Sequence, residues 1–235
     1  MAASPAPAAG PARSLLLCVI TNDRGEVSLA CASNLLRFQT QLMTTAEAVR
    51  TDMQFVRRFD DALNALRAHD SAEGAVVIDG TLGFDAQFPL RCLRSGRPLV
   101  AGCYPLPVID WDRVAGQPEG EEPRQWGNQY SAVLAGPVDA DGYAPASEAR
   151  LGLAWVAKRV VDALVTREPG VVSEDGTACF AARGVYDGKL RDEHQRFLDL
   201  CGRCGFRAAV DVTMPAVSSG PVEFGGCVGA RPTLR

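Results

Sequence analysis

The sequence predicts an α/β domain in which a sheet is flanked by helices, and three observations carry that expectation. Ala75-Val76-Val77-Ile78 is an unbroken apolar run that reads as a fully buried strand, with Asp79-Gly80-Thr81 directly after it. From Ala86 to Ser95 the chain can wind a short helix on Phe88, Leu90 and Leu93. Gly96-Arg97-Pro98 stops it, and Leu99-Val100-Ala101-Gly102 is a second buried strand. Finally, residues 190–205 form an amphipathic helix ending in Gly, and Phe206 to Val212 reads as another strand. Strand, loop, helix, strand in this order is a parallel α/β unit.

At 235 residues and 47% hydrophobic content, the chain can bury one substantial core. The expected organisation is a disordered Ala- and Pro-rich tail over 1–13 and a single domain over 14–235. The net charge is −4 with no basic run, which argues against a nucleic-acid surface. No apolar run reaches the roughly 18 residues of a membrane span. Arg13 ahead of Ser14 to Ile20 imitates a signal peptide weakly, because its apolar run of about seven is at the short limit. Leu15 to Ile20 therefore reads as the first sheet strand.

Thr21 to Gly25 is a polar, turn-forming loop. A helix is expected over Val27 to Arg37 and a poorly patterned second strand over Gln39 to Met43. Glu47 to Arg67 is expected as the strongest helix, with Val49, Met53, Val56, Leu63 and Leu66 as its buried stripe. Arg57 and Arg58 then stand on a face that is either solvated or turned to a ligand. Gly116 to Gly127 is an acidic, Pro- and Gly-rich loop without periodicity, Tyr130 to Leu134 a short strand, and Val138 to Gly142 a turn. That turn lacks the terminal Glu a calcium loop requires.

The eight cysteines do not form a disulfide framework, since several sit in apolar segments where a thiol acts as a small hydrophobe. Cys201 and Cys204 make one C-x-x-C. It reads as two packed thiols or, with His194 and Cys227, as a zinc site. Asp79 has two readings as well. It caps a turn, or it lines the crevice that open α/β sheets form at their strands' carboxyl ends.

The stretch IDGTLGF…RCLRSGRPLVAGCYPLPVIDWDRV resembles the central segment of GT-A-fold glycosyltransferases, especially forms from large DNA viruses and some bacteria. Asp79 stands at the first Asp of the family's D-x-D, and Tyr104-Pro105 with Ile109-Asp110-Trp111 match its Y-P-x-K-x-I-W-like segment. Thr81 stands at the second Asp, and Leu106-Pro107 replace the Lys. Gly152 fits the first Gly of a G-x-G segment, with Ala154 at the second. Aligned through Phe197 and Gly205, Glu193 falls at the family's Glu and His194 at its catalytic Asp; a shift of one residue puts Asp192-Glu193 there instead. Ser218 stands where the H-x-G segment has His. The resemblance spans about residues 14 to 226.

What the resemblance implies is a single GT-A-like, Rossmann-like domain with a mixed, mostly parallel sheet, in which Ile78 and Val100 lie on neighbouring strands. Nucleotide-sugar contacts fall to Thr21, Asp23, Arg58, Asp79, Gly80, Thr81 and Gly152. Catalytic positions fall to Asp192, Glu193 and His194, and the metal position to Asp79. Arg58, Glu193 and Ser218 are expected within reach of Asp79. The implied cofactors are a weakly held Mn²⁺ or Mg²⁺ and, if the chain is active, a nucleotide-sugar donor. With Thr81 and Ser218 replacing ligands, the expected function is a catalytically degenerate domain used for binding or as a component of a larger assembly. The alternatives are an active, metal-independent transferase moving a sugar to a hydroxyl acceptor, and an unrelated α/β binding module. Expected partners are a nucleotide sugar or other protein subunits, with oligomers allowed, in the cytoplasm or a virus particle.

Overall fold

The computed structural model describes residues 13–45, 48–116, 128–186, 188–218 and 224–226. Its centre is an eight-stranded sheet. β1 (Arg13–Ile20) is buried through six consecutive residues, and α1 (Leu29–Thr44), N-capped by the Ser28 hydroxyl, returns the chain to β2 (Val49–Val56). α2 (Phe59–Ala68) leads to β3 (Gly74–Asp79), and a short β4 (Leu82–Phe84) precedes α3 (Phe88–Ser95). β5 (Leu99–Gly102) follows, then β6 (Pro105–Ile109), α4 (Trp111–Ala115), β7 (Asn128–Tyr130), β8 (Ala132–Leu134) and β9 (Tyr143–Ala149). β10 (Leu153–Ala157) and α5 (Lys158–Arg167) lead through a 3-10 turn (Pro169–Val171) to the hairpin β11 (Gly184–Tyr186) and β12 (Lys189–Arg191). α6 (Glu193–Arg203), β13 (Ala209–Asp211), β14 (Ala216–Ser218) and β15 (Phe224–Gly226) end the described chain.

The sheet order is β2-β1-β3-β10-β5-β13-β9-β8. β1 pairs in parallel with β2 and β3, and β5 with β13, whereas β10 and β9 run against their neighbours. Six strands therefore point one way, and the sheet is mixed but mostly parallel, as expected. The core is built from the fully buried runs of β1, β3, β5 and β10, packed against Phe38, Phe59, Phe88 and Phe197 of the helices.

Four expectations need correction. The helix begun before Arg37 does not give way to a strand over Gln39 to Met43, because no Gly or Pro interrupts it and α1 runs on to Thr44. The helix expected over Glu47 to Arg67 is an edge strand followed by a helix. In β2 the half-buried Val49, Thr51 and Met53 alternate with the exposed Arg50, Asp52 and Gln54, which is a strand period. Ile78 and Val100 share the sheet but are not on neighbouring strands, since β10 lies between them, Leu153 opposite Ile78 and Trp155 opposite Val100. The expected strand over Phe206 to Val212 is only three residues long, Ala209–Asp211.

The 1–12 part of the expected tail, most of the acidic loop and Cys227 lie outside the described residues. Cys201 and Cys204 are buried free thiols, and burial pushes the Cys201 thiol well above its ordinary value. Among the described residues, no group of three His, Cys, Asp or Glu side chains can hold a metal ion.

β10 fits between β3 and β5 because both offer glycine where its side chains are largest. A Cβ on Gly74 would fall 2.5 Å from the Trp155 ring and 2.6 Å from the Val156 carbonyl, and one on Gly102 would fall 2.5 Å from Leu153. The ring cannot swing away freely, because its indole N–H donates to the Arg97 carbonyl at 2.9 Å. A second constraint pins the excursion after α5. Asp60 of α2 accepts the N–H groups of Phe180 and Ala181, Asn64 exchanges two hydrogen bonds with Ala178, and Arg67 donates to the Gly176 carbonyl.

Gly74→Ala is expected to destabilise the fold by roughly 1–3 kcal/mol, since backbone as well as side chain must shift. Gly170→Ala, with nothing within 4 Å of the added methyl, is the control and should stay within about 0.5 kcal/mol of the parent. Urea unfolding curves compare the two.

Candidate functional site

The chain leaves β1 for β2 on one side and returns to β3 on the other. The loops after β1 and β3 thus part at a topological switch point, where open sheets bind ligands. After β1, Thr21 is buried, and its N–H and hydroxyl both donate to the Val56 carbonyl, at 2.9 and 3.3 Å. Asn22 Oδ1 accepts the N–H groups of Arg24 and Glu26, which closes the loop. Arg57 holds that loop from β2, donating to the carbonyls of Asn22 and Asp23 at 3.2 and 2.6 Å.

After β3, Gly80 donates to the Ile20 carbonyl at 2.8 Å and accepts the Ser28 N–H at 2.6 Å. A Cβ there would lie 2.7 Å from the Ile20 oxygen and 2.8 Å from Val27, so the turn admits only glycine without rearrangement. Asp79 donates its N–H to the Gly152 carbonyl at 2.5 Å. Its Oδ1 accepts both the N–H and the hydroxyl of Thr81, at 2.9 and 2.8 Å. Asp79 therefore caps its turn, at the carboxyl end of β3 beside the switch point.

The loop after β5 adds Tyr104, whose buried hydroxyl accepts the Gly152 N–H at 3.2 Å. Gly152 is held on both sides by these bonds, and a Cβ on it would lie 2.6 Å from the Tyr104 hydroxyl. Burial pushes the Tyr104 phenol up; the nearby Asp79 charge adds to this and Arg150 opposes it.

The first residues of α6 lie within electrostatic range of Asp79. Asp192 is its cap, accepting the Gln195 N–H at 2.8 Å, while Gln195 Oε1 accepts the Asp192 N–H. Glu193, about half exposed, has its pKa raised by burial and by the charges of Asp192, Asp60 and Asp79. His194 is largely buried. Its ring meets Phe59 edge-on at 5.6 Å, Nε2 lies 3.6 Å from Glu193, and Nδ1 has no hydrogen-bond partner among the described residues. Burial lowers its pKa, Arg150 adds to that and Asp192 and Asp79 oppose it, so the ring is neutral near pH 7. Ser218, buried on β14, sits opposite Leu82, next in sequence to Thr81.

Of the residues singled out from sequence, Asp79 and Thr81 are joined by hydrogen bonds, Asp79 is bonded to Gly152, and Gly80 follows in the same turn; Glu193 and His194, on the helix that Asp192 caps, feel the Asp79 charge. Thr21 stands beside the Ile20–Gly80 bond and Asp23 on the exposed loop that Arg57 holds. Arg58, exposed and paired with Asp61, acts on Asp60, whose charge in turn reaches Glu193. Tyr104 as a support for Gly152, Asp60, and Arg150 were not found from sequence as members of the site. Arg150, two residues before Gly152, is an exposed cation felt by both Tyr104 and His194.

A Mn²⁺ or Mg²⁺ ion prefers several oxygen ligands, mostly charged. At the position the resemblance assigns to the metal stand one carboxylate, Asp79, whose Oδ1 is already taken by Thr81, and the Thr81 hydroxyl. This donor set does not fit the ion.

No family model matches the chain, and no curated protein matches it. Among solved structures it is similar to A197 from STIV, at 11% identity over 88% of this chain and 86% of that one, with a TM-score of 0.47. It is also similar to 4-diphosphocytidyl-2C-methyl-D-erythritol synthase from Anaerococcus prevotii, at 9% identity over 85% of this chain and 88% of that one, TM-score 0.39. A third is HddC from Yersinia pseudotuberculosis, at 10% identity over 64% of this chain and 79% of that one, TM-score 0.33.

The raised pKa of Glu193 makes a stability prediction. Its folded value lies above the ordinary 4.5, so folding favours the protonated acid. That stabilisation is complete below pH 4.5 and is lost as pH rises through the folded value. Glu193→Gln is therefore expected to melt slightly higher than the parent at pH 7, with the difference vanishing below pH 4.5. Thermal melts of both proteins between pH 4 and 8 would show it; a parent that is the more stable at pH 7 contradicts the assignment.

Proposed function

We propose that the chain is a glycosyltransferase-like domain of the GT-A kind that binds a nucleotide sugar at this crevice, with the family's metal grip given up. The reading is supported by one arrangement: at the end of β3, Asp79 is tied to Gly152 and Thr81 and Gly80 to the loop after β1, and the Asp79 charge acts on Glu193 and His194. The domain acts by binding, alone or as a component of a larger assembly.

Each residue has a definable part. Gly80 and Gly152 bring backbone to the crevice floor with no side chain in the way. Asp79, fixed by Gly152 and Thr81, offers its Oδ2 to a sugar or ribose hydroxyl, since only Oδ1 is engaged within the described chain. Arg150 supplies positive charge at the rim for a diphosphate. Because the donor set does not fit a divalent cation, no step runs through one.

The second reading is an active, metal-independent transferase, and Glu193 favours it. A carboxylate with a raised pKa beside a neutral histidine is suited to take the proton of an acceptor hydroxyl as its oxygen attacks the sugar's anomeric carbon. The bond from that carbon to the diphosphate oxygen would break, and the nucleoside diphosphate would leave.

Calorimetry with a uridine or guanosine diphosphate sugar separates the two. Under the binding reading, Mn²⁺ changes the affinity by less than about tenfold, or about 1.4 kcal/mol. No sugar is transferred or hydrolysed. Strong metal-dependent binding, with turnover that Asp79→Ala abolishes, would restore the enzyme and discard the degenerate reading. Metal-independent turnover lost in Glu193→Gln would favour the second.

A further inference from the structure

The central sheet ends on β2, and among the described residues no strand pairs with its far side. β2 is eight residues long, keeps its register with β1 from Val49 to Val56 without a bulge, and contains neither Gly nor Pro. β8, at the opposite edge, has only three residues. Natural edge strands are kept from a second chain by being short, bulged, broken by Pro or rich in Lys. β2 has none of these features.

The pleat decides which backbone groups are left over. Arg13 donates its N–H to the Ala48 carbonyl at 3.0 Å, and Thr21 donates to the Val56 carbonyl at 2.9 Å. The ladder to β1 therefore uses the even-numbered residues of β2. Val49, Thr51, Met53 and Phe55 turn their N–H and C=O groups outward, where no described residue meets them. The side chains on this row are unfinished as well. Val49 and Met53 pack on the core yet stay half-buried, and Phe55 is 62% exposed.

The even-numbered side chains stand on the other face and carry one charge of each sign. Arg50 is exposed and has no partner among the described residues. Asp52 engages only Oδ2, 2.7 Å from His69 Nε2, and its side chain is 64% exposed.

We propose that β2 is the docking edge for a second copy of this chain, paired antiparallel across a two-fold axis at Thr51. Antiparallel pairing must set outward-turned residues opposite one another, so few registers exist. An axis at Arg50 or at Asp52 puts like charges face to face. An axis at Met53 leaves both charges opposite uncharged residues, Val56 and Gln54. With the axis at Thr51, Arg50 of each copy faces Asp52 of the other. Thr51 then exchanges two hydrogen bonds with its own copy, and Val49 exchanges two with Met53 on either side. Arg50 and Asp52 fall at the non-hydrogen-bonded positions, where facing side chains come closest. Such a contact is self-complementary and closes at two copies, joining the two sheets into one.

Sedimentation velocity on the full chain, with the concentration raised to the millimolar range, should show a reversible monomer–dimer equilibrium. Amide exchange followed by NMR should slow with concentration at Val49, Thr51 and Met53. The amides of Arg50, Asp52 and Gln54, already bonded to β1, should change little. Arg50→Asp sets like charges opposite each other and should weaken association about tenfold. Adding Asp52→Arg to it should restore the dimer, which a general loss of stability would not do. Thr51→Pro removes an outward donor without touching the bonds to β1, and should abolish dimers. If that variant does not fold, the charge swap decides. The proposal fails if the chain stays monomeric, if it grows past two copies, if Arg50→Asp dimerises like the parent, or if the swap restores nothing. It fails equally if the outward amides are slow at every dilution, since another part of the same chain would then cover the edge. None of these outcomes depends on whether the crevice takes a nucleotide sugar.

Discussion

The structure depends on a reversed strand being admitted to the middle of a mostly parallel sheet. β10 joins the β2-β1-β3 half to the β5-β13-β9-β8 half, and both joins are possible only because Gly74 and Gly102 leave room for Trp155 and Leu153. The entry to β10 is Gly152, whose carbonyl takes the Asp79 N–H and whose N–H reaches the Tyr104 hydroxyl. The bonds that seat the strand therefore also fix the loops after β3 and β5. Packing at the sheet centre and geometry at the crevice are one constraint, and a change to either is felt by the other.

The charge around the crevice follows from the same convergence. Asp60, Asp79, Asp192 and Glu193 act on a common region, and Arg150 is the cation felt by the groups at its centre. A carboxylate in such company is costly to ionise, which is why Glu193 rises; an imidazole that is buried stays neutral despite the acids near it, which is why His194 falls. Asp60 is held by two backbone N–H groups, and burial still outweighs them and raises its pKa. The acids are thus not free to move apart, because Asp192 caps α6 and Asp60 ties α2 to residues 180–181.

Much of this was legible in the residues, and the failures have physical causes. β3, α3 and β5 were readable because unbroken apolar runs met strong punctuation at Gly96 and Pro98. β2 was misread because Val49, Met53 and Val56 satisfy a helical spacing, while its real alternation passes through Thr51, which does not register as apolar. β10 was missed as a strand because LAWVA is buried on both faces, and a five-residue apolar run has no period to distinguish strand from helix. At the site, the acids and glycines carried a sequence signal and Arg150 did not. A lone exposed arginine in a loop is ordinary until the fold sets it against Tyr104 and His194.

Thr81 gives the crevice its particular character. A second carboxylate at that position would stand beside Asp79 and repel it, so the pair would need a bound cation or a shared proton to be stable. Threonine replaces that repulsion with two hydrogen bonds to Asp79 Oδ1, at 2.9 and 2.8 Å, and holds the carboxylate in one orientation with no ion required. With Thr81 in this position the turn needs no cation, and Asp79 is left pre-oriented as a hydrogen-bond acceptor. A turn of this kind is suited to recognising hydroxyl groups and poorly suited to gripping a metal-bound diphosphate, which is the physical content of the binding role proposed for it.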